Sequence, residues 1–213
     1  MLDEIKIHNP ADIEKKSFEI ITEMLGGRVF PPLHEPIVKR VIHTTADFEY
    51  ADILRISDDA VEQTAAALRD GCNIVTDTKM AAAGISKAAL ARWGGQVVCL
   101  ISDESVAAEA KQRNITRSAV CMERYAHNRQ NRIFVMGNAP TALVRLSELI
   151  AEDAVKPRAV VGVPVGFVNV VEAKKLIMTT GVPYIVTEGR KGGSTVAAAI
   201  INAVLYMMRD GLL

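Results

Sequence analysis

The chain has 213 residues with 25 basic and 25 acidic side chains, so its formal net charge of zero predicts neither a nucleic-acid partner nor binding to an anionic membrane. Hydrophobic residues make up 49% and aromatic residues only 5%, a balance that suits parallel strands covered by helices. This length is enough for one large α/β domain, and we predict a single domain over residues 1–213.

The first predicted element is an amphipathic helix. It begins at Asn9-Pro10, an N-cap followed by proline, and ends at Gly26-Gly27. Ser17 is a polar residue on its apolar face, which also carries Ile13, Ile20, Ile21 and Met24.

Two further helices follow before the first predicted strand. One begins near Pro36 and places Arg40, His43 and Asp47 together on its polar side. The other is predicted to run from a Ser57 cap to Gly71.

Five short β-branched runs then alternate with turn residues and helical stretches. They lie at 73–77, 96–101, 132–137, 158–164 and 183–189. This alternation predicts a three-layer α/β fold with a mostly parallel sheet of about five strands flanked by helices. A last helix at about 193–209 is rich in Ala, Val and Ile and is predicted to be buried. Because ligands of such sheets bind beyond the carboxyl ends of the strands, the loops that follow strands are the places to look for a site.

His43 is the histidine whose setting indicates chemistry. Histidine is the side chain best suited to exchange protons near neutral pH, and Arg40 one turn earlier could bind a carboxylate beside it. The same two residues also fit an ordinary surface pair, which helical spacing alone favours. His8, His34 and His127 have no comparable context and are predicted to lie at the surface.

Two short segments carry groups that suit an anion. Arg117 is a planar cation that suits a carboxylate, and Thr116 or Ser118 could cap the next helix. An ordinary helix cap with an exposed arginine explains this segment equally well. The turn at Gly137, Asn138 and Ala139 follows a strand and opens a helix, where free backbone N–H groups favour an anion. Ordinary helix capping explains that turn equally well.

The segment GRKGGST at 189–195 is the strongest local signal. It joins a strand to a helix and combines two cations, three glycines and two hydroxyls, which predicts a carboxylate or phosphate cradle. The order of its residues fits neither a Walker A loop nor a dinucleotide fingerprint. The candidate binding residues here are Arg190, Lys191, Gly192, Gly193 and Ser194.

The remaining motifs are open to two interpretations. Gly162 and Gly166, around PVGFV at 164–168, would let a flat ligand or another chain approach the backbone, or they form a simple turn. Asp77, near Lys79, is either functional or a helix cap. The residues alone therefore indicate several anion-binding loops and one placed histidine, an arrangement that suits a substrate with many carboxylates.

The ordered set of motifs resembles the precorrin-8X methylmutase family, including its cobalt-precorrin-8 branch. The resemblance runs from about residue 8 to the end of the chain. It is carried by KKSFEII (15–21), VKRVIHTT (38–45), TRS (116–118), GNAPTAL (137–143), PVGFV (164–168) with Glu172-Ala173-Lys174, and GRKGGS (189–194) with Asn202.

This resemblance implies an isomerase of cobalamin biosynthesis that moves a methyl group from ring carbon 11 to ring carbon 12. The product would be hydrogenobyrinate or its cobalt counterpart, cobyrinate. No cofactor and no protein-bound metal are expected, because the migrating methyl is already on the substrate and any cobalt belongs to the substrate. The family resemblance also implies an α/β homodimer with the substrate near the subunit interface.

The resemblance further assigns roles to residues. His43 matches the family's proton donor and acceptor, and Ser17 and Arg40 match positions associated with substrate. The segments 116–118, 137–139 and 190–194 match loops expected around the ring and its acid side chains.

Three positions depart from the family pattern, namely Lys15-Lys16, Thr76 and the bulky stretch TADFEY at 45–50. They bear on substrate preference more than on the reaction. Two other functions stay open: a non-catalytic corrinoid carrier, and an enzyme that binds a phosphoryl ligand through the 189–195 loop.

The cysteines and the N-terminus predict where the protein works. Cys72, Cys99 and Cys121 are far apart and form no CxxC pair, a pattern typical of a reduced protein without a cysteine-bound metal. The start, MLDEIKIHNP, lacks the order of a secretory signal, and no apolar run approaches the roughly 20 residues of a membrane helix. We therefore expect a cytoplasmic protein that does not span a membrane.

Overall fold

The computed structural model describes residues 9–213, without the side chain of Ala11, so the surface position predicted for His8 lies outside the described residues. Six strands within them form one sheet. They are β1 Leu54–Ile56, β2 Asn73–Thr76, β3 Val97–Val98, β4 Asn131–Met136, β5 Ala159–Gly162 and β6 Tyr184–Thr187. The strand order is β1-β6-β5-β4-β2-β3, in which β1 alone pairs antiparallel to its neighbour.

Helices cover both faces of this sheet. They are α1 Pro10–Leu25, α2 Glu35–Thr45, α3 Tyr50–Ile53, α4 Ala60–Arg69, α5 Lys79–Gly84, α6 Lys87–Ala91, α7 Glu104–Arg113, α8 Arg117–Ala126, α9 Pro140–Ala151, α10 Val170–Met178 and α11 Ser194–Arg209. Helices α1–α6 and α11 lie on one face, and α7–α10 lie on the other. None of the helices within residues 9–213 is long and apolar enough to cross a membrane.

Strand β4 illustrates why both faces of the sheet are buried. Ile133 and Val135 point into the core shared with α11, while Phe134 and Met136 point into the core shared with α8 and α9. All four side chains are fully buried. Successive side chains of a strand face opposite ways, so a strand covered on both sides is apolar throughout rather than alternating.

The predicted α/β class and the mostly parallel sheet are confirmed. The final helix is buried as predicted. The run at 96–101 was expected to be a full strand, but only Val97–Val98 pairs with β2.

The region before β2 differs from the prediction. Strand β1 was not predicted, and Ser57 does not cap a helix. Its hydroxyl accepts a hydrogen bond from the Tyr184 N–H at 2.9 Å, so it extends the pairing at the sheet edge. Asp47 lies outside α2, because the helix ends at Thr45 and Ala46 adopts a left-handed φ of 53°.

The strand order places a topological switch point between β2 and β4. From β2 the chain passes to β3 on one side, and it then returns to β4 on the other side. The connections therefore diverge at this point, which opens a crevice beyond the carboxyl ends of β2 and β4.

Candidate active site

A cavity of about 370 Å³ lies at this switch point. We call it the switch-point cavity, and its lining comes from the loops after β2 and β4, the segment after β3 and the start of α8. The lining residues are Asp77, Thr78, Lys79, Ile101, Ser102, Thr116, Arg117, Ser118 and Asn138. The structure thus brings together four of the predicted binding residues, the three of the TRS segment and Asn138.

Asp77 lines this cavity and binds the backbone of the loop after β4. Its carboxylate accepts hydrogen bonds from the backbone N–H groups of Gly137, Asn138 and Ala139, at 2.9, 2.8 and 2.6 Å. The side chain is only 1% exposed. Burial raises the pKa of Asp77, and the three N–H donors act against that rise.

The expectation that these N–H groups are free for a substrate anion is therefore corrected. They already serve the carboxylate of Asp77, which the sequence left open as a helix cap. The N-cap of α9 is Ala139, and no side chain makes a capping hydrogen bond there. Asn138 contributes instead through its position in the lining of the cavity.

The loop 189–194 packs tightly against two neighbouring loops. A Cβ on Gly137 would lie 2.6 Å from the Cα of Ser194, and a Cβ on Gly192 would lie 2.1 Å from the carbonyl oxygen of Val163. Gly192 also has a φ of 156°, a backbone conformation that favours glycine. Gly137 and Gly192 thus allow close contact between these loops. The hydroxyls of Ser194 and Thr78 are hydrogen-bonded at 2.7 Å, which links the loops after β6 and β2.

Lys174 of α10 stabilises the same loop through hydrogen bonds to its backbone. Its ammonium donates to the carbonyl oxygens of Gly189 and Lys191, at 3.0 and 2.8 Å, and the side chain is 1% exposed. Burial lowers the pKa of Lys174 to about 8. The sequence motif contains Lys174, but it assigned this lysine no role. The one feature of the sequence that could have indicated its burial is its place among the apolar positions of α10.

The two predicted cations of this loop differ in availability. Lys191 forms ion pairs with Asp47 and with Glu49, the latter at 2.7 Å. The pKa of the Asp47 carboxyl is lowered mainly by this hydrogen bond from Lys191. Arg190 is exposed, and its carbonyl oxygen accepts from the Gly166 N–H at 3.2 Å. Lys191 therefore connects the loop 189–194 to the segment that follows His43.

His43 lies in the last turn of α2, beside Ser17 of α1. Both line a cavity of about 260 Å³, which we call the His43 cavity, together with Ile20, Ile21, Met24, Ile42, Ala46 and Phe48. The imidazole is exposed and stacks on Phe18, with ring centroids 5.2 Å apart and an interplanar angle of 6°. The hydroxyl of Ser17 donates to the Ile13 carbonyl at 2.8 Å. The imidazole is thus accessible to a ligand, with one ring face against Phe18.

Arg40 faces a third space rather than the His43 cavity. It lines a groove of about 830 Å³ between α1, α2 and the end of α11. The guanidinium pairs with Glu14 at 2.6 Å and lies 4.6 Å from the Phe18 ring and 5.1 Å from the Tyr206 ring. Phe18 therefore lies in contact with both Arg40 and His43, a link that helical spacing alone did not reveal.

The predicted residues thus occupy neighbouring but separate spaces in one chain. His43 with Ser17, Arg40, and the TRS segment line three different cavities. The loop 189–194 bonds to Thr78, which lines the switch-point cavity, and to Asp47, which lies between two residues that line the His43 cavity. Among residues 9–213, no group of three or more His, Cys, Asp and Glu side chains could hold a metal ion.

Comparison with known proteins decides which family combines these features. The family model CbiC, described as precorrin-8X methylmutase, matches residues 12–207. The chain belongs to the precorrin-8X methylmutase family. It is accordingly an isomerase of cobalamin biosynthesis, as the ordered motifs predicted.

Individual relatives agree over nearly the whole chain. A cobalt-precorrin-8 methylmutase of Salmonella typhimurium is 49% identical over 210 residues, covering 96% of this chain and 98% of the relative. A precorrin-8X methylmutase of Pseudomonas aeruginosa is 37% identical, covering 90% and 93%. The crystal structure of precorrin-8x methyl mutase from Thermus thermophilus matches with a TM-score of 0.87 and 40% identity, covering 94% of this chain and 99% of that one.

Proposed function

We propose that this chain converts cobalt-precorrin-8 to cobyrinate by moving a methyl group from ring carbon 11 to ring carbon 12. The observation that carries the proposal is the family match over residues 12–207, which includes His43 and every loop of the candidate site. Relatives from Salmonella typhimurium and Priestia megaterium, named for the cobalt substrate, are 49% and 42% identical. The proteins named for precorrin-8X, from Pseudomonas aeruginosa and Thermus thermophilus, are 37% and 40% identical, below both of these values, which favours the cobalt form.

In this proposal His43 supplies the proton chemistry. Its imidazolium protonates or hydrogen-bonds the conjugated macrocycle, which stabilises charge as the methyl moves, and it takes the proton back when the new bond has formed. The ring must be pinned while the methyl migrates, and the donors for its acetate and propionate arms come from the segments 116–118 and 190–194 together with Ser17 and Arg40. Because atoms only move within the substrate, the reaction needs no added cofactor.

We also propose that the active form is a homodimer in the cytoplasm, with the site near the subunit interface. The apolar face of α1 supports this assembly, because Ile13, Ile20 and Met24 are 47%, 44% and 63% exposed. Ile20 and Met24 also line the His43 cavity, so a partner on this face would lie close to His43. The three cysteines are all free, which agrees with a reducing compartment.

Light scattering on the purified protein should then give the mass of two chains. Replacing Ile20 by glutamate is expected to yield monomers, because charges would face each other across a two-fold contact. Glu23→Gln, a change at an exposed polar position of the same helix, serves as the control. A wild-type mass of one chain at assay concentrations would rule out the dimer.

Visible spectroscopy with both candidate substrates tests the reaction itself. Moving the methyl off ring carbon 11 lets that carbon join the conjugated system, so absorption should shift as product forms. We expect conversion of cobalt-precorrin-8 and slower or no conversion of precorrin-8X. Binding without any spectral conversion would instead support the corrinoid carrier, and binding of nucleotides would support the phosphoryl-ligand enzyme.

A further inference from the structure

We propose that Lys79 and Arg117 form a carboxylate-binding subsite in the switch-point cavity, which takes one acetate or propionate arm of the corrinoid. This assignment rests on the proposed function for its ligand. It adds Lys79 and Ser102 to the predicted binding residues that line this cavity, which are Thr116, Arg117, Ser118 and Asn138.

The place of these residues in the fold is the first support. Lys79 follows β2 and Asn138 follows β4, the two strands between which the chain direction diverges. Crevices at such switch points are where open α/β sheets bind ligands. A volume of about 370 Å³ is small for a whole macrocycle but ample for one side-chain arm.

The charges in the cavity are the second support. Within residues 9–213, neither Lys79 nor Arg117 forms an ion pair, and the guanidinium of Arg117 only reaches the Ile101 carbonyl at 3.5 Å. Of the other predicted binding cations, Arg40 and Lys191 are each paired with carboxylates, and Arg190 lies outside this cavity. The switch-point cavity therefore holds two cations whose charge no protein carboxylate neutralises.

Asp77, the acidic residue that lines the switch-point cavity, does not pair with Lys79 or Arg117. Both oxygens of Asp77 face the N–H groups of the loop after β4, which compensate its charge locally. Ser102, Ser118 and Asn138 add neutral donors around the same space. A planar guanidinium, a mobile ammonium and hydroxyl or amide donors match a carboxylate better than a neutral group.

Binding of two corrinoid probes to Lys79→Met tests this subsite. Cobyrinic acid carries free acetate and propionate arms, whereas its fully amidated derivative keeps the ring without those charges. We expect Lys79→Met to weaken binding of cobyrinic acid about tenfold or more, and to leave binding of the amidated probe unchanged. Lys79→Arg should retain most of the affinity, and Lys87→Met, at an exposed lysine outside the cavity, is the matched control.

The outcomes separate the subsite from the proposed function. If the wild type binds cobyrinic acid and Lys79→Met binds it equally well, the subsite is wrong and the methylmutase function stands. An equal loss of affinity for both probes would also overturn the subsite, because the effect would not depend on the carboxylates. If the wild type neither binds cobyrinic acid nor converts cobalt-precorrin-8, the proposed function fails and the subsite fails with it.

Discussion

Replacement of His43 by alanine is expected to lower the turnover of cobalt-precorrin-8 by about 100-fold or more, which is the usual contribution of a positioned general acid or base. The fold should survive, because the imidazole is exposed and its ring contact is with Phe18 at the surface. Steady-state kinetics with circular dichroism would measure both effects. Substrate affinity should change less than turnover, since the loss falls on the transition state.

His127→Ala is the matched control for this change. His127 is exposed after α8 and lines neither the His43 cavity nor the switch-point cavity, so its removal should leave turnover unaltered. Near-normal turnover by His43→Ala would show that the proton chemistry belongs to another group. Ser17, which lines the same cavity, would then be the next residue to replace.

Lys174→Met is the second change with a large expected effect. It removes the donors to the Gly189 and Lys191 carbonyls, so the loop 189–194 loses its buried support. We expect about a tenfold or greater loss of turnover near neutral pH, in line with the loss of two hydrogen bonds from a charged donor. Lys175→Met, at the adjacent exposed lysine, should have little effect.

The stability of the same variant should depend on pH in a defined direction. Burial lowers the pKa of Lys174 from 10.5 to about 8 in the folded protein, so between these values the unfolded chain binds more protons than the native one. The free energy of unfolding of the wild type should therefore rise relative to Lys174→Met as the pH increases from about 8 to 10.5, by roughly 3 kcal/mol at most.

Below about pH 8 both states of the wild type carry the proton, and the cost of burying the ammonium is fully present. Any loss of stability caused by Lys174→Met should therefore be smallest in this range and should grow as the pH rises toward 10.5. Denaturant unfolding at several pH values would measure this difference. A constant difference across the range would mean that Lys174 keeps an ordinary pKa.

Much of the fold could be predicted because periodicity reports burial. Parallel strands covered on both faces, such as β4 and β5, are continuous apolar runs that the sequence displays directly. Strand β1 was missed because it is three residues long and its pattern depends on its partner β6. Ser57 fits the sequence pattern of a helix cap, and only the position of Tyr184 gives its hydroxyl a different role.

The site was harder to predict, since a sequence indicates which groups can bind an anion but not whether they are already occupied. The N–H groups of 137–139 bind an anion as expected, but that anion is the carboxylate of Asp77. Lys191 was expected to be a free cation, and it is paired with Asp47 and Glu49. These partners come from distant parts of the chain, and local motifs carry no information about them.

The bonds between the loops have a consequence for how the protein meets its ligand. Asp77 ties the loop after β4 to the loop after β2, Ser194 ties the loop after β6 to Thr78, and Lys174 anchors the same segment to α10. The conformational entropy of these loops is therefore lost when the protein folds, and not when the ligand binds. A preorganised pocket of this kind should bind a rigid macrocycle with little rearrangement of the loops. Less of the binding free energy is then used to order the protein, and more of it is available to hold the ring in its reactive geometry.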